Sequence, residues 1–297
     1  MLRRMPLSKQ SAPMFVIGAL FLFCAGVWSV AYAEAPFDFA QGKPQLTFAV
    51  LDIGQGDALY IESPTGVQVV VDGGPDDSLL RALPAVMPAL DRTLDAIIET
   101  HPDADHIGGF SELLNRYEVG AFISPGIPKD TATAKKLEQQ VDKKKIPRVI
   151  ARRGMSLDLG GGAVLYVLYP DRDVSGLSNS KVNEGGIVAR LVYGESEVLL
   201  MADVSSAVET RLMQLDAEEL GADVLKVGHH GSRFSTSEKF VSAVTPGVAV
   251  ISVGKNSYGH PTAQALNILK AAGAEILRTD QEGTMVFTSD GERFTRE

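Results

Sequence analysis

The chain has 297 residues, of which 45% are hydrophobic and 22% charged, which is enough apolar material for one large packed domain and excludes disorder as its main state. Its 29 Gly and 15 Pro follow no fixed period, which excludes collagenous, solenoid and propeller designs. The net charge is −9, and −12 once residues 1–33 are set aside, an acidity that opposes indiscriminate nucleic-acid binding.

Cys24 is the sole cysteine, so disulfides within the chain and cysteine-ligated metals are both excluded, and any metal must be held by His and carboxylate. Arg3, Arg4 and Lys9 precede an uncharged apolar run over 14–30, which is followed by the small-x-small triplet Ala31-Tyr32-Ala33. Residues 1–33 therefore read as a signal peptide or, since the run sits at the lower edge of a bilayer span, as an N-terminal membrane anchor through residues 14–30. Either way the body is expected outside the cytoplasm. Residues 34–45 read as a linker, and 46–297 as a single domain.

From there the periodicity predicts strands over 46–53, 58–63 and 67–72, a helix over 79–87, a short buried strand over 96–100 and a helix over 107–117. A strand over 121–124 and a helix over 131–141 follow, then strands over 163–169, 187–193 and 198–201. The last part alternates helix 206–215, strand 223–227, helix 238–244, strand 248–253 and helix 263–272 before closing strands. Strands in both halves with helices between them imply an α/β fold with mixed sheets packed face to face and helices outside.

All five histidines fall in short clusters at predicted strand ends. Thr100-His101-Pro102-Asp103-Ala104-Asp105-His106-Ile107-Gly108-Gly109 places two His and two Asp within six residues on a loop. Such carboxylates converge only if something cationic neutralises them, and a divalent metal does so. His101 with Asp103, and Asp105 with His106, suit two metals held near each other. Asp203 ends an apolar strand; alone it reads equally as a helix cap, but beside the first cluster it becomes a candidate bridging ligand. Leu225-Lys226-Val227-Gly228-His229-His230-Gly231-Ser232 offers one ring for a metal and another for substrate, with Ser232 beside them. Asn256-Ser257-Tyr258-Gly259-His260-Pro261 supplies His260 and Asn256 as substrate-facing candidates, although a His before Pro also suits a plain turn. Residues 129–153 carry a local charge of +6; a run of this kind is usually a solvated helix face, yet on so acidic a chain it is also the best candidate for steering a polyanion.

The stretch THPDADHIGG resembles the HxHxDH signature of the metallo-β-lactamase superfamily, with Asp in place of the second His. Together with Asp52-Ile53-Gly54-Gln55-Gly56-Asp57-Ala58, Val71-Asp72-Gly73-Gly74, Asp203, KVGHHGS and YGHP, it is similar to the C-terminal domain of the ComEC competence proteins, which act in DNA uptake. The match runs over about residues 46–290, and no stretch resembles the polytopic channel of those proteins.

The resemblance implies a four-layer αββα sandwich. It also implies metal ligands His101, Asp103, Asp105, His106 and Asp203, with His230 favoured over His229 as the late ligand and Asn183 where such sequences carry Asn. Catalytic roles fall to Asp105, Asp203, His229 and His260, and substrate contacts to His229, Ser232, Asn256 and His260. One to two divalent ions are expected, Zn²⁺ or, because the first site is oxygen-rich, Mn²⁺. The implied chemistry is hydrolysis by a metal-activated hydroxide, most naturally of a phosphodiester such as DNA. Two other readings remain open at this point: a non-catalytic module that binds DNA or another polyanion, and a hydrolase of small phosphoesters or lactams. No protein partner is inferable.

Overall fold

Leu46, Phe48 and Val50 of strand β1 (Leu46–Val50) point into the space between two sheets, while Ala49 and the following Leu51 point the other way, toward helices. This alternation recurs through the molecule and produces its layers. The computed structural model describes residues 45–297. The expected signal or anchor segment and nearly all of the linker lie outside the described residues. Among the described residues, no helix is long and apolar enough to cross a membrane.

The first half supplies β1, β2 (Leu59–Glu62), β3 (Gln68–Val71), α1 (Ser78–Ala82), β4 (Thr93–Leu94), β5 (Ala96–Ile98), α2 (Ala104–Ile107) and α3 (Phe110–Arg116). It continues with β6 (Glu118–Val119), β7 (Phe122–Ser124), α4 (Ala132–Lys144), β8 (Arg148–Ile150), β9 (Ser156–Gly160) and β10 (Ala163–Tyr169). The second half holds β11 (Val188–Tyr193), β12 (Ser196–Leu200), α5 (Ser206–Asp216), β13 (Val224–Lys226), α6 (Glu238–Val244) and β14 (Val248–Ile251). It closes with α7 (Ala263–Ala271), β15 (Glu275–Arg278), α8 (Thr279–Glu282), β16 (Met285–Ser289) and β17 (Phe294–Arg296).

One sheet runs β17-β16-β1-β2-β3-β5-β7-β8 and the other β15-β14-β13-β12-β11-β10-β9, with β4 and β6 forming a small parallel pair. Their facing surfaces share one core, including Phe48, Val69, Ile98, Leu165, Leu191, Leu200 and Phe287. Leu79, Phe110, Leu113, Leu137 and Val141 bring α1, α3 and α4 onto the outer face of the first sheet. Val208, Leu212, Phe240, Val244 and Leu269 bring α5, α6 and α7 onto the outer face of the second. The architecture is therefore the single-domain αββα sandwich.

Two elements differ from the periodicity reading. The helix expected over 79–87 ends at Ala82 and tightens into a 3₁₀ turn at Leu83–Ala85, because Pro84 has no N–H for a helical bond. The helix expected over 107–117 starts earlier, at Ala104, and is divided at Gly108-Gly109. Strands β3-β5-β7-β8 are parallel, as are β12-β13-β14-β15, so their carboxyl ends carry loops toward the same functional edge, the usual place for ligands in such sheets.

Candidate metal centre

Loops leaving β3, β5, β12 and β13, together with the turn before β2, meet at that edge and are laced by backbone hydrogen bonds. Asp57 N–H donates to the Asp105 carbonyl (3.2 Å), Gly74 N–H to the Asp57 carbonyl (2.8 Å) and Gly73 N–H to the His106 carbonyl (2.5 Å). Such close passage requires glycine at two points. A Cβ on Gly56, whose φ is +131°, would lie 2.1 Å from the Asp105 oxygen, and one on Gly108 would lie 1.9 Å from the Pro75 oxygen. Left-handed backbone at Asp72 (φ 60°), Ala202 (φ 47°), His229 (φ 50°) and His230 (φ 53°) adds about 1–2 kcal/mol of cost per residue. Strain gathered in this way, around one cluster of polar side chains, marks a functional site.

Hydrogen bonding fixes the three innermost imidazoles in one sense. His230 Nδ1 donates to the Ser252 carbonyl (2.9 Å), and His106 Nδ1 donates to Asp72 Oδ2 (2.8 Å). Thr100 Oγ1 donates to Asp72 Oδ2 (2.7 Å), so its lone pairs accept from His101 Nδ1 (3.0 Å). Each ring consequently turns Nε2 inward, where the neutral form presents a lone pair. All three Nε2 atoms are buried and have no hydrogen-bond partner, and the same is true of Asp203 Oδ1. Orphaned polar atoms at this density are what a bound cation satisfies.

The electrostatics agree. Asp203 Oδ2 lies 3.4 Å from His106 Nε2 and 3.5 Å from His230 Nε2, and His230 Nε2 lies 3.6 Å from Asp105 Oδ2. Burial and the neighbouring His106 hold the His101 ring neutral, with its pKa pushed down to about 3. At His230, burial also opposes the charged form, but Asp203, Asp105 and Asp57 outweigh it and push the pKa up to about 10. Positive charge is thus drawn into the cluster, and a divalent ion would supply it by displacing a proton. Donor atoms of Asp105, His106 and His230 lie within 4.8 Å of one another, as do those of His101, His106 and Asp203. The chemistry of this donor set, imidazole nitrogens with carboxylate oxygens, fits a divalent transition metal.

The structure therefore brings His101, Asp105, His106, Asp203 and His230 together. Asp103 stands apart from the convergent groups: one carboxylate oxygen forms an ion pair with Lys129, and the other lies 3.8 Å from His101 Nε2. His229 is 30% exposed at its side chain, and its Nε2 lies 3.6 Å from Asp203 Oδ2, at the mouth of the cluster. Its ring contacts that of His260 edge-on at 5.5 Å, and His260 lies 5.8 Å from the Tyr258 ring.

Two expected substrate contacts are placed otherwise. Ser232 is buried and its Oγ accepts the Phe234 N–H, holding the loop. Asn256 spends its amide on its own loop, donating to the Gly254 and His260 carbonyls and accepting from the Tyr258 and His260 N–H groups, so it positions His260.

Residue-type reasoning gave no role to Asp57, Asp72 or Lys226. Lys226 Nζ lies 2.7 Å from Asp57 Oδ2, both fully enclosed, and Asp57 Oδ1 lies 3.5 Å from His230 Nδ1. Lys226 and the His230 contacts overcome the effect of burial and hold Asp57 below the usual carboxylate range. The signal was present in the DIGQGDA, VDGG and KVGHHGS motifs, where each residue stands beside a loop glycine or a ligand.

Residues 51–255 match the family model of the metallo-beta-lactamase superfamily. The chain belongs to this superfamily. Among curated proteins, this metallo-β-lactamase-fold chain is similar to ComE operon protein 3 of Bacillus subtilis (strain 168), at 30% identity over 80% of the chain and 32% of that protein. It is also similar to competence protein ComA of Neisseria gonorrhoeae, at 30% identity over 80% of the chain and 31% of that protein. The chain thus spans about a third of the length of these curated relatives. Among solved structures, Igni18, a metallo hydrolase from the archaeon Ignicoccus hospitalis, shares the fold with a TM-score of 0.51 at 16% identity, covering 81% of this chain and 98% of that one.

Proposed function

We propose that this metallo-hydrolase-fold chain is a metal-dependent phosphodiesterase, nuclease-like in its preference for DNA or another phosphodiester, and that it works outside the cytoplasm. The observation that carries the substrate class is the run of rings leading away from the buried cluster: His230, His229, His260 and then Tyr258, which is 73% exposed. A nucleobase has a face for such a platform, and an adjacent phosphodiester would then lie over the metal ligands. Phe234, 62% exposed on the loop that carries His229 and His230, has the Arg233 guanidinium 5.0 Å from its ring centroid and adds a second aromatic-cationic contact at the rim. The names of the relatives support a role in competence, the ComEC resemblance supports a role beside DNA, and the export-like sequence of residues 1–33 supports a position outside the cytoplasm.

A divalent ion held by Asp105, His106, Asp203 and His230 would supply a water ionisable near neutral pH and charge stabilisation for the attacked phosphorus. The protein's own share is positional. Asp72 and the Ser252 carbonyl hold His106 and His230 in the tautomer that leaves Nε2 free. His229 and His260 stand on the open side, where an N–H can donate to a non-bridging phosphate oxygen. Burial and the facing His229 and His230 push the His260 pKa down, so the ring is neutral at physiological pH and is a hydrogen-bond donor rather than a charge.

The basic segment contributes less than its composition suggests. Lys129, Lys135, Lys136, Arg148, Arg152 and Arg153 are all paired with acids, leaving Lys143, Lys144 and Lys145 at the end of α4 as its available cations. The deciding experiment assays purified full-length chain, with Zn²⁺ or Mn²⁺, on a panel of diesters, thioesters and lactams alongside single-stranded DNA. Metal-dependent cleavage of diesters is expected. Inactivity of folded, metal-loaded protein on every diester would overturn the proposal in favour of a binding module.

A further inference from the structure

Lys129 differs from every other cation of its segment. Lys135, Lys136, Arg148, Arg152 and Arg153 pair with acids that are mostly exposed to solvent, whereas Lys129 is 14% exposed and turns toward the metal centre onto Asp103. Its loop is pinned. Ile127 packs with Val174 and Val182, Gly126 N–H donates to Ser124 Oγ, and Arg152 Nη1 donates to the Pro125 carbonyl (2.7 Å). The neighbouring Asp130 is taken by Lys135, so Asp103 is the carboxylate left for Lys129.

The donor inventory around His101 follows from that pairing. Asp103 joins none of the groups whose donor atoms lie within 4.8 Å of one another. Among the described residues, His101 forms a three-donor group only with His106 and Asp203, both already facing the Asp105 and His230 side; Asp103 Oδ2 lies 3.8 Å from His101 Nε2, but its carboxylate is the one whose charge Lys129 takes. With the Asp103 charge taken by Lys129, an ion on the His101 side would keep one imidazole of its own and a share of Asp203. Stable sites of this kind use at least three protein donors.

We propose that the Lys129 ammonium stands in place of one metal ion, neutralising Asp103 so that the chain binds a single divalent ion, at Asp105, His106, Asp203 and His230. This rests on the metal-hydrolase reading above. Lys129 acts on metal number by withholding a ligand, and removing its charge frees Asp103 to complete a second site with His101 and Asp203.

The test is metal stoichiometry rather than activity. Full-length protein is stripped with chelator, dialysed to equilibrium against Mn²⁺ or Zn²⁺, and analysed for metal per chain, with the Mn²⁺ samples also examined by electron paramagnetic resonance. Wild type and Lys129→Arg should hold one ion and give the spectrum of an isolated Mn²⁺. Lys129→Met should hold two and show an exchange-coupled pair, and Lys129→Met/Asp103→Asn should return to one. Lys129→Gln serves the same purpose if the Met variant does not fold. Two ions in wild type, or one in a folded Lys129→Met or Lys129→Gln, overturns the inference while leaving the hydrolase reading intact. One ion in wild type without diester hydrolysis overturns the hydrolase reading alone, and no ion in wild type overturns both.

Discussion

Lys226 of β13 reaches Asp57, in the turn before β2, at 2.7 Å, and this enclosed ion pair ties the two sheets together beside His230 of the candidate metal centre. Lys226 Nζ also donates to the Val227 carbonyl (3.2 Å), so the charge is fixed on both sides. Removing one partner leaves the other charged in a fully enclosed site. Lys226→Met is therefore expected to lower unfolding free energy by about 3–5 kcal/mol, with part of the loss recovered in Lys226→Met/Asp57→Asn. Urea denaturation of metal-free protein measures both. A loss of less than about 1 kcal/mol in the single variant would show that the pair does not clamp the sheets.

Asp72 holds His106 through Nδ1 and also accepts from Thr100 N–H (2.8 Å) and Thr100 Oγ1 (2.7 Å). Asp72→Asn keeps the shape, and Asn tolerates the left-handed φ of 60° at this position. The amide has one accepting oxygen, so its NH2 group must face either the Thr100 N–H or the His106 and Thr100 Oγ1 donors, and the negative charge that orients His106 is lost. Metal affinity should fall about 10- to 100-fold, as for other partners that orient a metal-bound His. Competition against a chromophoric chelator reads this, and unchanged affinity would remove Asp72 from the metal centre's support.

Much of the centre was legible from residue types. His and Asp at loop positions after apolar strands can be listed from the sequence, and THPDADHIGG, Asp203 and His230 do converge. The roles of Asp57, Asp72 and Lys226 were not legible, because each depends on a partner far along the chain, Lys226 lying 169 residues from Asp57. The fate of Asp103 was hidden for the same reason: its spacing suits a ligand, but Lys129, 26 residues on, occupies it. In the fold, β8 escaped notice because it is a short, partly exposed strand inside a run of charges, whereas the interior strands announce themselves by alternation.

Glu99 is buried just after β5, and burial, with repulsion from Glu138 and Asp72 and some opposition from Arg148, pushes its pKa up to about 8 from an ordinary 4.5. Below the ordinary value, both folded and unfolded chains carry the proton. Between the two values the unfolded chain releases it while the folded chain keeps it, so this residue makes stability fall as pH rises through that interval and level off above about 8. Glu99→Gln removes the effect. The variant should match wild type near the acid end and exceed it by a few kcal/mol at the alkaline end in paired denaturant titrations. A pH-independent difference between the two proteins would contradict the assignment.

Asp203 faces both His106 and His230, while His260 stands outside them with its ring against His229. On the proposed mechanism, loss of Asp203 removes a metal donor and the group that sets the spacing of the two rings, whereas loss of His260 removes one hydrogen-bond donor from the phosphate side. Diester hydrolysis should therefore drop by several orders of magnitude in Asp203→Ala and by on the order of 10²-fold in His260→Ala. The order of the two effects is the informative quantity, measured as kcat/KM with metal content determined in each sample. Equal losses with metal retained in both variants would mean that His260 contributes as much at the reacting phosphate as Asp203 does.

Tyr258 separates a nucleic-acid substrate from a small one. Its ring is 73% exposed and tilted 31° from that of His260, and its backbone N–H is fixed to Asn256 Oδ1 (3.1 Å), so the loop holds the ring at the mouth without burying it. A stacked base contributes about 1–3 kcal/mol, so Tyr258→Ala should raise KM for a single-stranded oligonucleotide by roughly 5- to 150-fold. A chromogenic diester with no base to stack should be turned over as before, because the metal ligands are untouched. Since the ring is solvent-exposed, its removal should also leave Tm within about a degree, which excludes misfolding as the cause. If both substrates lose equally, the ring acts through His260 on the reacting phosphate. If neither changes, the aromatic path ends at His260 and nucleobases are not what the rim receives.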